Sequence, residues 1–219
     1  LLDGATLVTD ILQAASQVKV LATSREKLNL RGETVFLLSG LKFLDDDSLE
    51  KVLEYDAAQL FIESARRTRP DFETRPNDFD YLAHICRLAE GLPLGIELAA
   101  GWVDVLSLKQ IATELQQGID ILETELRDIP ERHRSIRTTF ERTWQRMTGG
   151  ERAVFSRLSV FRGGFTLAAA QVIAGANTHL FRRLAQKALI QSEANERFGI
   201  HELLRQFGEE KLWQAAEAE

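Results

Sequence analysis

Hydrophobic positions along this chain recur mostly every three or four residues, the spacing of one buried helix face. Ala5 to Ser16 reads as a helix, and Asp47 is placed to cap a short one over Ser48 to Glu54. Ala57 to Thr68 carries apolar residues at Ala57, Leu60, Phe61 and Ala65, and Pro70 ends it. Asp78 to Ala89 repeats the rhythm at Phe79, Leu82, Ile85, Cys86 and Ala89. Leu94 to Val103 is apolar almost all round, which predicts a buried helix. Ser107 followed by Gln110 is the signature of a capping box at the start of the next helix. One segment breaks the rhythm. Val18 to Thr23 is a short apolar run that reads as a buried strand, and polar groups such as Thr23, Ser24 and Arg25 at the carboxyl end of a strand face the crevice where α/β sheets bind ligands. A parallel sheet needs several strands, so the rest of it is expected before Leu1.

Beyond a charged stretch from Glu125 to Arg134 that contains Pro130, the order of elements changes. Helices are predicted over Ile136–Arg146, Glu151–Phe161, Leu167–Ala174 and His179–Lys187. Thr148 with Glu151 forms a second capping box, and Thr166 is a cap for the third of these helices. Ala188–Gln191 and Arg197–Ile200 read as two short strands around the turn Ser192–Glu196, and a last helix starts near His201. Helices followed by a β-hairpin describe a winged helix. The expected fold is mainly α: a helical bundle followed by a winged-helix domain, with one remnant strand of an α/β sheet at the N-terminus. The boundaries fall at 1–40, 41–131 and 132–219.

The turn between two of the predicted helices, Gly91-Leu92-Pro93-Leu94, is the most specific feature. Gly91 supplies the left-handed backbone that often closes a helix, and Pro93 sits where a first helical turn has no use for its N–H.

Charge divides the chain as the pattern does. Its 219 residues carry a net charge of −6, but residues 1–131 hold 13 Lys/Arg against 24 Asp/Glu, and residues 132–219 hold 14 against 9. The step suggests two modules with different surfaces, the second basic enough for nucleic-acid contact to be weighed. A single cysteine excludes an internal disulfide framework and suits a reducing, cytoplasmic setting. No apolar run is long enough for a transmembrane helix, and no secretory leader opens the chain, which begins with Leu rather than Met and reads as a fragment. Metal chemistry does not assemble: His84, His133, His179 and His201 have no partner at ligand spacing, and Asp45-Asp46-Asp47 lacks the Gly and terminal Glu of a calcium loop. Cys86 lies on an apolar helix face and reads as core.

Gly91-Leu92-Pro93-Leu94 resembles the GLPL motif of the NB-ARC, or STAND-class, nucleotide-switch ATPases. Val20-Leu21-Ala22-Thr23-Ser24-Arg25 resembles the sensor-1 strand of that family, and Ile200-His201-Glu202-Leu203-Leu204 its MHD motif, with Ile200 where the motif has Met and Glu202 where it has Asp. Ile136-Arg137-Thr138-Thr139-Phe140 and Phe155 to Phe161 also look like bacterial members. These motifs occur in the family's order, and the resemblance covers nearly the whole chain.

The resemblance implies that residues 1–40 end a P-loop NTPase domain, that 41–131 match its first helical (ARC1-like) domain, and that 132–219 match its winged helix (ARC2-like). It implies that Pro93 packs on adenine, that His201 meets the β-phosphate of ADP, and that Arg25 senses the γ-phosphate of ATP. An arginine suits that task because its fork donates several hydrogen bonds to phosphate oxygens. ADP and ATP with Mg²⁺ are then the cofactors of the full-length parent. Neither is expected to bind tightly here, because the sequence has no G-x-x-x-x-G-K-[ST] and no acidic pair after an apolar strand. The implied function is a regulatory switch in signal transduction or transcription, without catalytic residues of its own. Its implied partners are the P-loop half of the same chain, other copies of the full-length ATP form, and DNA through another domain, with no membrane. The alternative is a DNA-binding winged-helix regulator using Arg182, Arg183 and Lys187; a third reading is a passive helical scaffold.

Overall fold

A computed structural model describes residues 4–24, 27–44, 49–125, 130, 133–193 and 195–217. Among these residues the protein is mainly helical, with one small antiparallel sheet. Helix α1 (Ala5–Ala14) comes first, followed by a long stretch to Leu44 without regular structure. Helices α2 (Asp56–Thr68), α3 (Phe79–Leu88), α4 (Pro93–Ala100) and α5 (Leu108–Gln117) form the bundle. In it α2 packs on α4 and α3 on α5, which buries Phe61, Leu82, Ile85, Ile96, Ile111 and Leu115 completely. Ser107 caps α5 as its sequence predicts: its hydroxyl accepts from the Gln110 N–H while the Gln110 side chain accepts from the Ser107 N–H.

The bundle's last turn leads to a loop pinned at both ends. The Ile136 N–H donates to the Leu122 carbonyl at 3.1 Å, and Thr124 to Arg134 at 2.8 Å. Helices α6 (Ile136–Gln145) and α7 (Gly149–Leu158) follow, then β1 (Phe165–Thr166), α8 (Leu167–Ala174), α9 (Thr178–Gln186), β2 (Gln191–Ser192), β3 (Arg197–Gly199) and α10 (Glu202–Glu217). The strand order is β1-β3-β2, with Phe165 opposite Phe198 and Gln191 opposite Gly199. Helix–strand–helix–helix–strand–strand is the order of a winged helix. Its helices α8 and α9 are joined by the three residues 175–177, with Gly175 left-handed at φ +67° and the Asn177 side chain capping α9. An aromatic row fixes the sheet against the helices: Phe161, Phe165, Phe181 and Phe198 stack in sequence with ring centroids 5.0, 6.4 and 4.7 Å apart.

Several expected elements change. The strand expected over Val18 to Thr23 does not form; these residues join no β-ladder among the described residues, and Leu21 is 97% exposed. A strand is held by its ladder, and among the described residues there is none for it to join. The first wing strand starts at Gln191 rather than Ala188, because Ala188 takes φ +54° and turns the chain. Strand β1 was not anticipated, since two residues carry no alternation to read. Asp47 and the acidic triplet at 45–47 lie outside the described residues.

Candidate functional site

The two motifs of the sequence meet at the seam between the bundle and the winged helix. Helix α3 ends at Leu88, and the chain reverses through Ala89, Glu90 and Gly91 before α4 begins at Pro93. The Gly91 N–H reaches back to the Cys86 carbonyl at 3.1 Å, and Leu92 to Ala89 at 2.8 Å, which ties off the helix end. Two consecutive residues are left-handed, Glu90 at φ +44° and Gly91 at φ +67°. Gly91 has a packing reason as well as a backbone one. The Leu41 N–H donates to its carbonyl at 2.8 Å, and a Cβ on Gly91 would collide with the Leu41 carbonyl. Glu90 is the surprise, because a β-carbon in this region costs on the order of 1 kcal/mol and glycine or asparagine normally takes the place.

The Glu90 carboxylate spans the seam. Its Oε1 accepts the Glu202 N–H, the first free amide of α10, at 2.6 Å, although the two residues are 112 positions apart. Its Oε2 lies 4.0 Å from His201 Nε2. Helix α10 therefore has its N-terminus capped by a side chain of the other module, where a negative charge is favoured by the free amides and the helix dipole. Burial raises the Glu90 pKa above the ordinary carboxylate value, the bond from Glu202 works against that, and repulsion from Glu202 and Glu193 adds to the rise.

His201 joins β3 to α10 and is 16% exposed. Nδ1 accepts the Leu203 N–H at 3.3 Å, so the neutral ring carries its proton on Nε2. That Nε2 is buried and makes no hydrogen bond of ordinary geometry. Burial drives the His201 pKa down to about 4, with the Ala89 carbonyl and the Glu202 charge offsetting it only in part. The imidazole is therefore neutral at pH 7, with a donor and no acceptor well placed for it.

Glu202, the carboxylate of the MHD-like motif, is engaged elsewhere. It forms a fork with Arg205, whose Nε and Nη2 lie 2.7 and 2.9 Å from its two oxygens, and it also accepts from Gln206. Burial raises its pKa, but the Arg205 bonds dominate and leave it below the usual value. Arg205 is itself buried and reaches the Ser159 carbonyl at 3.1 Å and Glu209 at 2.8 Å. The seam is widened by Gln206 donating to the Leu115 carbonyl and by Arg137, which pairs with Asp120 on the bundle side and with Glu210 at 2.7 Å.

The structure thus brings the Gly91–Pro93 turn and His201 to one seam. Pro93 is exposed, as the first residue of α4. Arg25 lies outside the described residues, so its place relative to them is not part of the geometry. Glu90 and Arg205 were not singled out in the sequence. Glu90 had one readable signal, an acidic residue directly before Gly91 where a helix end asks for glycine.

The basic residues proposed for DNA contact are partly committed. Glu151 is 0% exposed and takes Arg183 at 2.9 Å and Lys187 at 3.0 Å. It also closes the α7 capping box, accepting the Thr148 N–H at 2.6 Å. Burial raises its pKa, and the bonds from Thr148 and Lys187 overcome that and lower it. Arg182 is exposed on α9.

No family model matches the chain. Two kinds of curated relative do. "Putative HTH-type transcriptional regulator Rv0890c" of Mycobacterium tuberculosis is 30% identical over 230 residues, covering all of this chain and 25% of that protein. A protein of corresponding name in Mycobacterium bovis matches to the same extent. "Uncharacterized protein Rv0894" of Mycobacterium tuberculosis is 32% identical over 232 residues, covering all of this chain and 56% of that protein. The named relatives carry the name of a transcriptional regulator. The chain spans a quarter of their length and little more than half of the uncharacterized one, so the helix-turn-helix of the name has three further quarters in which to lie. Among the described residues no helix is long and apolar enough to cross a membrane.

Proposed function

We propose that this chain is the switch portion of a transcription regulator, in which the seam between bundle and winged helix responds to a bound adenine nucleotide. The observation that carries the reading is the approach of the turn around Gly91 to His201, made through Ala89 and Glu90 and through Gly95 against Leu203. Two segments that resemble the GLPL and MHD motifs lie 110 residues apart in sequence and adjoin in space. A nucleotide held there would touch both modules and so bind the closed form differently from an open one, which is the only way a ligand moves such an equilibrium.

The residues fit that group in part. His201 Nε2–H is a buried donor that meets the Ala89 carbonyl only outside ordinary hydrogen-bond geometry, and it is suited to a phosphate oxygen. The exposed Pro93 ring offers an apolar face for adenine. Glu90 works against the fit, since its carboxylate stands beside that donor and a phosphate would meet its charge. Arg25 would add the sensing arginine, and the phosphate cradle with its Mg²⁺ would have to come from residues this sequence does not contain. Hydrolysis is not assigned to this chain.

The test uses the protein encoded by the full parent gene. Nucleotide released from the purified, denatured protein is measured for wild type and His201→Ala. Near-stoichiometric ADP in the wild type, reduced in the variant, supports the reading; a wild type free of nucleotide, with added ADP failing to bind, overturns it.

A second reading has its own support: the names of the relatives and the α8–turn–α9 geometry favour a winged helix that touches DNA itself. The names speak for it more directly than for a nucleotide switch. Against it stand the commitment of Arg183 and Lys187 to Glu151 and the acidic residues Glu193 and Glu196 in the wing. Binding of duplex DNA by the 219-residue chain with a steep salt slope, weakened by Arg182→Ala, would establish it.

A further inference from the structure

Glu90 occupies a backbone position that its own residue type disfavours, and in that position its side chain does something no glycine could do. We propose that Glu90 is an interdomain latch: the left-handed turn at the end of α3 presents its carboxylate to the N-terminus of α10, and this bond sets how the winged helix seats on the bundle. The proposal requires no nucleotide and stands or falls apart from the switch reading.

Three observations converge on it. The 2.6 Å bond from the Glu202 N–H is a charge-assisted cap supplied from another module. His201, the residue before α10, caps it locally by accepting the Leu203 N–H at Nδ1, and this leaves the Glu202 N–H to be met from the other module by Glu90. The bond is also coupled to close packing: a Cβ built on Gly95 would stand 3.4 Å from Leu203, so α4 and α10 touch immediately beside the latch. Backbone strain tends to be retained where the surrounding structure uses it. Here the use is the cap, since φ +44° at Glu90 places the side chain on the α10 side of the turn.

The groups facing the latch explain why it is a point of weakness as well as of closure. Glu202 and Glu193 repel the carboxylate, and His201, neutral, offers it no charge. The latch is thus one charge-assisted bond set against like charges, of which Glu202 is partly offset by its fork with Arg205, and it stands beside the Gln206–Leu115 and Arg137–Asp120 bonds of the same seam.

Amide hydrogen exchange on the 219-residue chain tests the proposal with two variants. Glu90→Gly removes the strain and the cap together. It is expected to speed exchange at Glu202 by ~10-fold or more, the loss of a hydrogen bond to a charged acceptor, while the Leu203 amide stays on His201. The α3 end, reported by the Gly91 amide, should stay as protected or become more so. Glu90→Gln keeps an acceptor and is expected to restore at least half of the lost protection on a logarithmic scale. Unchanged exchange at Glu202 in Glu90→Gly would overturn the latch, because glycine would then simply relieve a strained turn. Loss in Glu90→Gln equal to that in Glu90→Gly would overturn it as well, since the side-chain acceptor would be irrelevant.

Discussion

At the scale of single residues, ionisation at His201 has a consequence that can be measured without any ligand. Its pKa falls from 6.5 to about 4 because the ring is buried. Below pH 6.5 the unfolded chain takes up a proton at this position that the folded chain refuses until about pH 4. Folding stability therefore rises with pH across that window and is fully present above it. Protonating the buried ring costs about 3 kcal/mol over the whole interval. Glu90, raised in pKa, has the opposite slope near the acid end, so the comparison is made against a variant. Urea unfolding of wild type and His201→Gln at pH 4.5 and pH 7 should show the wild type losing more stability on acidification. Parallel losses in the two proteins would mean that the ring is solvated and the donor at Nε2 is not held dry. Cys86 makes the complementary point about chemistry that is absent. Burial pushes its thiol pKa up to about 12, so a disulfide-exchange reagent should label it only after denaturation.

At the scale of elements, the capping residues decide where helices begin, and they are local, which is why they could be read. Ser107, Thr148 and Thr166 cap the helices that their spacing predicts, and α8 spans the expected residues Leu167–Ala174. The Gly91 turn and the proline start of α4 were equally legible, because φ > 0 and a missing N–H are properties of one residue each. What was not legible depends on partners far away. Strand β1 exists because β3 lies beside it, and the Glu202 N–H at the start of α10 is met by a glutamate 112 positions upstream. The role of Glu151 belongs to the same class. Its spacing from Thr148 announced a capping box, but not that Arg183 and Lys187 from α9 would converge on the same carboxylate. Removing one partner from a buried charge cluster is costly, and Arg183 is half exposed, so Glu151→Ala should lower stability by about 2 kcal/mol. Thermal and urea melts check this. The milder Glu151→Gln releases the α9 cations while keeping the cap acceptor, so it also asks whether those cations can bind DNA. Duplex binding that appears only in that variant would show that Glu151 masks them, and binding already strong in the wild type would show that it does not.

At the scale of the whole molecule, the described residues comprise a helical bundle and a winged helix that share a core, and one poorly covered arm. Bundle and winged helix bury their apolar residues in a continuous core, and the seam adds polar bonds that tie them together. Among the described residues, 4–24 and 27–39 contribute almost nothing to that core. Helix α1 has no buried residue, and at ten residues it is too short to be stable in water by propensity alone. Downstream of it Leu21, Phe36, Leu37 and Leu38 are all more than 80% exposed. Apolar surface of this kind on a chain of this size marks a place where something else packs. The sheet expected around Val18–Thr23 would be one such cover, and the longer relatives have residues enough to supply it. The 219-residue chain should therefore bind an apolar dye and self-associate as its concentration rises. A version starting at Gly40, which keeps the Leu41 contact on Gly91, should do neither and should melt at the same temperature. If the shortened chain instead melts several degrees lower, the arm is part of the folded unit and its exposed side chains are tolerated rather than waiting. If it melts alike but still binds dye and associates, the sticky surface lies outside the arm, among exposed residues such as Val105 of the bundle and Val172, Ile173 and Trp213 of the winged helix, and these become the ones to substitute next.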